Sequence, residues 1–297
     1  MWRMDFMPAR QPDEQPIAPI AVCVLNPRAS ASAYGTGDPT LSATDDSVSD
    51  VANDSIDGSP SMPRSWYLFP PDRLNQMLSW PDLRGACPGL SNLGNTCFMN
   101  ATLQCLTHTA PLANLCLERA HSLRCKTKGF CLYCEFEDHL RTAHDQERPQ
   151  RSLTPRVLVS HLRTLARHFR PGQQQDAHEY LLCVIDALQT AAVRVASSAR
   201  GGRLSERIAA TSEVQQLFGG QLRSKLVCHT CGQPSLSFEP FNHLSLELDR
   251  APDVEEALRR FSRLEKLVGD NQYRCEACER MVDASKQLQV NTSPCCA

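Results

Sequence analysis

The sequence predicts an α+β fold, helices first and sheet later, on two observations. Apolar residues recur at helical spacing in four segments, and between the last two of these the apolar period drops to two. Residues 1–87 stand outside the pattern. They hold 11 of the 20 prolines, 6 Arg, no Lys and 11 acidic side chains, a local net charge of 6 − 11 = −5. Tyr34 to Pro63, rich in Ser, Asp, Ala, Gly and Pro, offers no periodic apolar face whose burial would offset the entropy of ordering, so this leader is expected to be disordered. The patch from Trp66 to Trp80, with Tyr67, Phe69, Leu74 and Met77, is an exception that reads as a docking segment or as the edge of the domain.

From Gly89 onward about 200 residues remain, enough for one domain with its own core. Phe98, Met99, Leu103 and Leu106 share a helical face behind Asn95 and Thr96, which suit an N-cap. Val157, Leu158, Leu162, Leu165 and Phe169 repeat the pattern behind Thr154 as cap, with Pro155 in the first turn. Ala177, Tyr180, Leu181, Ile185 and Leu188 predict a third helix, and Val254, Leu258, Phe261 and Leu264 a fourth opened by Pro252. Between them Leu222, Ser224 and Leu226, then Leu244, Leu246 and Leu248, alternate with their neighbours as half-buried strands do.

Charge and cysteine content narrow the function classes. With 31 basic against 33 acidic side chains the chain has no excess charge to drive binding to nucleic acid or an anionic membrane, so neither is an expected partner. No uninterrupted apolar run approaches the roughly 20 residues of a membrane span. The longest, Ile17 to Leu25, is broken by Pro19, and Asp5, Asp13 and Glu14 ahead of it rule out the positive start of a secretory signal. Fifteen cysteines, an odd number, then point to reduced thiols in metal or catalytic roles and to an intracellular compartment, with nucleus and cytosol not distinguished.

One thiol stands where it would be activated. In Gly89-Leu-Ser-Asn-Leu-Gly-Asn-Thr-Cys97-Phe-Met-Asn, Cys97 falls in the first turn of a predicted helix, where unpaired N–H groups and the helix dipole favour the thiolate. Asn92, in the preceding Gly-containing turn, is placed to aim its amide at the oxyanion of an acyl-transfer intermediate. A buried, inert Cys97 is the competing reading. This segment, continuing Ala-Thr-Leu-Gln-Cys-Leu, resembles the cysteine box of the ubiquitin-specific proteases, with Ala101 where that family has Ser. Gln173-Gln174-Gln-Asp176-Ala-His178-Glu179-Tyr-Leu-Leu is similar to the family's second box.

The resemblance implies a papain-like fold with a helical thumb and β-rich fingers, and a cysteine deubiquitinase that cleaves after the C-terminal glycine of ubiquitin in protein conjugates. It implies Cys97 as nucleophile, Asn92 as oxyanion donor, and Gln174, Asp176, His178 and Glu179 as support for the site. On the residues alone, Asp176, His178 and Glu179 are the polar start of an amphipathic helix. Ubiquitin and ubiquitinated proteins would be the partners.

Cys228-His-Thr-Cys231 and Cys275-Glu-Ala-Cys278 are paired knuckles suited to one tetrahedral, structural zinc ion. In the family similar knuckles sit in the fingers. A candidate second site comprises Cys125, Cys131, Cys134 and His139, with a loop of packed cysteines as the alternative.

A thiol protease needs a base, and the family carries it late, in a Gly-His-Tyr motif. This sequence has no such motif, and its last histidine is His243. The resemblance runs from Pro88 to about Val290, after which the chain reads Asn-Thr-Ser-Pro-Cys-Cys-Ala. The catalytic base is therefore unknown, the palm sheet is expected to be incomplete, and 88–297 is expected to be a truncated catalytic domain, thumb-like over 88–213 and fingers-like over 214–297. The alternative reading is an inactive ubiquitin-binding module that lacks the histidine.

Overall fold

The computed structural model describes residues 67–78, 86–147 and 151–296; of the leader 1–87 expected to be disordered, residues 1–66 and 79–85 lie outside them. Contacts divide the described chain into a helical unit, up to Gly219 with Ser293–Cys296, and a sheet unit, Gly220–Thr292. This division falls after Gly219, because the short helix that follows Ser212 buries Val214 and Leu217 in the helical core.

The helical unit runs α1 Pro71–Met77, β1 Gly89–Leu90, α2 Cys97–Thr107, α3 Ala110–Leu117, α4 Leu132–Ala143, β2 Ser152–Leu153, α5 Arg156–Ser160, α6 Leu162–Leu165, α7 Ala177–Arg200, α8 Glu206–Ala209 and α9 Glu213–Phe218. Its axis is α7. Asp176 caps this helix by accepting the His178 and Glu179 N–H groups, and Gly201, at φ 72°, ends it in the left-handed conformation that glycine adopts without a Cβ penalty. The cap contributes about 1 kcal/mol. Full burial of Tyr180, Val184 and Leu188 contributes ~1.5–3 kcal/mol for each aliphatic side chain, so packing outweighs capping in holding α7. Phe98 meets Tyr180 edge-on at 5.5 Å and Phe169 at 6.1 Å, joining α2, α7 and the loop before α7. By length and composition α7 could cross a membrane, but its apolar stripe is spent in this core.

Of the two readings of the Trp66–Trp80 patch, residues 67–78 take the domain edge: Phe69, Leu74 and Met77 lie in the core, Asn114 donates to the Met77 carbonyl at 3.1 Å, and Arg73 pairs with Glu118. One expectation changes here. The helix expected from Val157 to Phe169 breaks at His161 into α5 and α6. At the break Ser160 Oγ and His161 Nδ1 bond the Val157 carbonyl, at 2.8 and 2.9 Å, beside the His161 N–H at 3.2 Å, and the His161 ring stacks on Phe130 at 3.9 Å. Val157 is left exposed.

The sheet unit comprises β3 Gly220–Cys228, β4 Pro234–Phe241, α10 Val254–Phe261, β5 Glu265–Leu267, β6 Tyr273–Cys275, β7 Arg280–Val282 and β8 Ala284–Thr292. Four strands form an antiparallel sheet in the order β4-β3-β8-β5, and β6 pairs with β7 as a separate hairpin. β4 is an edge strand with Pro234 and Pro240 near its ends, where missing N–H donors cost no central ladder bond. Leu244 to Leu248 is not a strand: no strand pairs with it among the described residues, and the alternation reflects Leu244 and Leu246 packing on Ala257. The buried face of α10 is likewise turned, centred on Ala257, while Val254 and Leu264 are exposed.

Candidate active site and metal centres

The loop ahead of α2 is built from residues with special backbone tolerance. Gly94 and Asn95 both take positive φ, 95° and 53°, a conformation open to glycine and tolerated by asparagine. The resulting turn folds Asn92 back onto Thr96. Asn92 Oδ1 accepts from the Gly94 N–H at 3.0 Å, the Thr96 N–H at 3.2 Å and the Thr96 hydroxyl at 3.2 Å. With its oxygen committed inward, the Asn92 amide presents Nδ2 as a donor, and this nitrogen has no hydrogen-bond partner among the described residues. Cys97 follows as the first residue of α2, exposed, with no hydrogen bond to its sulfur among the described residues.

The two sequence boxes are brought together. Asn95 Nδ2 donates to the Gly172 carbonyl at 2.8 Å and Thr102 Oγ1 to the Ala177 carbonyl at 3.1 Å, so the loop before Cys97 is tied to the start of α7. Asp176 is spent on the cap, Gln174 is exposed in the loop before it, and His178 is half-buried in the first turn. Glu179 pairs with His168 Nε2 at 3.0 Å, a partner the sequence reading did not name.

The first thiol cluster forms as expected. Cys228 at the end of β3, Cys231 in the turn, Cys275 at the end of β6 and Cys278 between β6 and β7 place all four sulfurs within 4.8 Å of one another. Cys228 and Cys278 lie 4.0 Å apart, Cys231 and Cys275 3.8 Å apart. A tetrahedron with Zn–S bonds of about 2.3 Å has edges of about 3.8 Å, so the set fits zinc. The Cys231 N–H, then that of Thr230, donates to the Cys228 sulfur, pulling its thiol down to about 6, toward the thiolate that a metal requires.

The second cluster forms with a different imidazole. His121, Cys125, Cys131 and Cys134 converge; His139 does not join them. Cys134 lies in the first turn of α4, and five residues on a helix rotate by about 140°, which turns His139 to another face. His121 arrives instead on a turn held by buried Glu137, which accepts the His121 and Ser122 N–H groups at 2.9 and 2.8 Å. Burial lowers the His121 pKa to about 4, keeping the imidazole neutral as a ligand must be, and its ring stacks on Tyr133 at 4.3 Å. Its Nε2 is 3.4 Å from Cys131 Sγ, and Cys125 Sγ is 3.8 Å from the same sulfur. The signal available in sequence was the four-residue step from His121 to Cys125. His121→Ala is expected to reduce bound zinc from two ions per chain to one while His139→Ala retains both, by elemental analysis; one ion in the unmodified chain contradicts the assignment.

A further thiol–imidazole pair escaped the sequence reading. Cys87 Sγ lies 3.4 Å from His144 Nδ1 and 3.6 Å from its Nε2, so the sulfur rests against the imidazole ring at the end of α2 remote from Cys97.

Comparison with known proteins agrees with this geometry. The family model described as ubiquitin carboxyl-terminal hydrolase matches residues 88–291. The chain is 38% identical over 269 residues to human ubiquitin carboxyl-terminal hydrolase 42, covering 91% of this chain and 19% of the relative. It is 36% identical over 248 residues to the probable ubiquitin carboxyl-terminal hydrolase 16 of Schizosaccharomyces pombe, covering 82% and 52%. Among solved structures, the SAGA DUB module Ubp8/Sgf11/Sus1/Sgf73 bound to monoubiquitin matches with a TM-score of 0.59 and 26% identity, over 75% of this chain and 50% of that one. The same module bound to ubiquitin aldehyde matches with a TM-score of 0.58. The chain thus spans about half or less of the proteins it matches, and over that span it shares their α+β, papain-like ubiquitin-specific protease fold. The family match, spanning both boxes and the thiol knuckles, shows that the chain belongs to the ubiquitin carboxyl-terminal hydrolase family.

Proposed function

We propose that the chain carries the nucleophilic half of a thiol-dependent deubiquitinase, with Cys97 attacking the carbonyl carbon of ubiquitin's C-terminal glycine in a protein conjugate. The observation that carries the reading is the pairing of an exposed Cys97 at a helix start with an Asn92 amide whose oxygen is locked and whose nitrogen is presented. As the sulfur–carbon bond forms, the carbonyl electron pair moves to oxygen, and Asn92 Nδ2 donates to that oxyanion. Collapse expels the amine and leaves a thioester that water hydrolyses. Asp176 and the Asn95–Gly172 bond hold the loop, while Gln174, His178 and Glu179 line the start of α7. Both zinc clusters serve structure, since neither donor set leaves an open position. The partners on this reading are ubiquitin and its conjugates, with no role for nucleic acid or membrane, and the fourteen free cysteines among the described residues support an intracellular setting.

The sequence holds no Gly-His-Tyr, which favours a second reading in which the chain binds ubiquitin without turnover. A ubiquitin C-terminal alkyl thioester separates the two, because a leaving thiolate needs no proton from a general acid. On the first reading the chain gains the mass of ubiquitin as a hydroxylamine-labile adduct that Cys97→Ala abolishes. Binding with no adduct would establish the second.

A further inference from the structure

The stretch from Arg119 to Phe130 carries four cations and no carboxylate. Arg119, Arg124, Lys126 and Lys128 are all exposed, and none of them pairs with a carboxylate among the described residues. Glu118, the acid just ahead of them, is taken by Arg73. The fold holds the four charges together. His121 Nε2 lies 3.4 Å from Cys131 Sγ, and Cys125 Sγ 3.8 Å from the same sulfur, so Arg124, Lys126 and Lys128 sit on a closed loop. Arg119 joins through the preceding turn, where its carbonyl accepts the Leu123 N–H at 3.2 Å. The second thiol cluster does not use this charge up. Zinc with three thiolates and a neutral imidazole carries one net negative charge, which one of the four cations offsets. Like charges confined in this way raise the local potential and favour an anionic partner. Leu123, 75% exposed in their midst, adds an apolar contact.

The chain itself carries a complementary segment. From Asp45 to Asp57 it reads Asp-Asp-Ser-Val-Ser-Asp-Val-Ala-Asn-Asp-Ser-Ile-Asp, five aspartates with Val48, Val51 and Ile56 among them, and no Lys or Arg occurs between Arg28 and Arg64. This segment lies outside the described residues, and the place where the chain enters them decides its reach. Arg73 stands 5.4 Å from the centre of the Phe69 ring and pairs with Glu118, so the chain joins the domain beside the basic loop. Ten residues separate Asp57 from Tyr67. Extended, they span up to about 33 Å. So short a tether gives the aspartates an effective concentration on the order of millimolar, well above that of a second chain in dilute solution.

We propose that the acidic segment Asp45–Asp57 docks on the basic loop Arg119–Lys128 of the same chain, its aspartates on the four cations and its apolar side chains on Leu123. Each exposed ion pair is weak and screened by salt, so the number of charges and the tether together hold the contact. Docked there, the segment covers the loop that supplies Cys125 to the second thiol cluster.

Carbodiimide coupling of the zinc-loaded 297-residue chain, mapped by peptide mass spectrometry, tests the contact. Lys126 and Lys128 report on the loop, and Lys225 and Lys266, exposed in the sheet unit, are internal references. The Asp45–Asp57 peptide is expected to couple to Lys126 and Lys128 at least tenfold more than to the two references. That preference should fall at least threefold in 1 M NaCl, where the screening length is about 3 Å. Arg119→Gln combined with Arg124→Gln keeps both reporting lysines and is expected to lower their coupling at least threefold with zinc content unchanged. The salt series uses the unmodified chain and decides without the variant. Even coupling over loop and reference lysines, or a preference that salt leaves intact, overturns the proposal. So do cross-links that join isotopically heavy and light chains in a mixed sample, which would make the occupant a second copy.

Discussion

Asn92→Ala is expected to slow acylation of Cys97 by a ubiquitin thioester by about 10²–10³-fold, the usual cost of deleting one oxyanion donor. The side chain has two jobs, and they lie on different atoms. Oδ1 holds the Gly94 and Thr96 N–H groups and so fixes the turn, while Nδ2 is the proposed donor to the oxyanion. Asn92→Asp separates them. It keeps an acceptor for both N–H groups and replaces the donor by a negatively charged oxygen, so the fold should hold while acylation falls at least as far as in Asn92→Ala. Single-turnover rates beside thermal melts read the two effects independently. A loss below threefold in Asn92→Asp would remove Asn92 from the chemistry.

Cys228→Ala is expected to release one zinc ion and to unfold the β6–β7 hairpin locally. The hairpin has strands of three residues each, too short to persist alone in water. Its buried apolar cluster comprises Cys228, Cys275 and Val282, with Tyr273 and Cys278 partly buried beside them. Most of that small core is ligand, so the metal supplies the cohesion a larger core would otherwise give; structural zinc contributes about 10–16 kcal/mol in small zinc modules. Amide exchange across Tyr273 to Val282 should accelerate by at least about 10²-fold in the variant and on chelation, while amides of α7 stay protected. Unchanged protection with the zinc gone would show that the hairpin stands on its own contacts.

The sequence made the chemistry-bearing parts legible where spacing along the chain equals proximity in space. The helix behind Cys97, the long helix behind Asp176 and the four-thiol cluster all formed as their local signals implied. Failures arose where tertiary contacts set the outcome. His139 has ligand-like spacing in one dimension and the wrong face in three, whereas His121 needed a turn held by Glu137, sixteen positions away. Leu244 to Leu248 alternates because it packs on Ala257, and alternation alone does not supply a paired strand. At the break at His161 two side chains and a backbone N–H gather on one carbonyl, and the His161 ring stacks on Phe130, thirty-one positions away in sequence. The Cys87–His144 pair joins residues fifty-seven positions apart, which no motif announces.

The central claim is that Cys97 is the nucleophile of a ubiquitin-binding site. It is tested most directly by treating the purified chain with ubiquitin that carries a thiol-reactive electrophile at its C-terminus, and mapping the adduct by mass spectrometry. The account predicts one covalent ubiquitin per chain, attached at Cys97 and lost in Cys97→Ala, with Cys87→Ala without effect. An adduct at Cys87, or none from soluble, zinc-loaded protein, would contradict it.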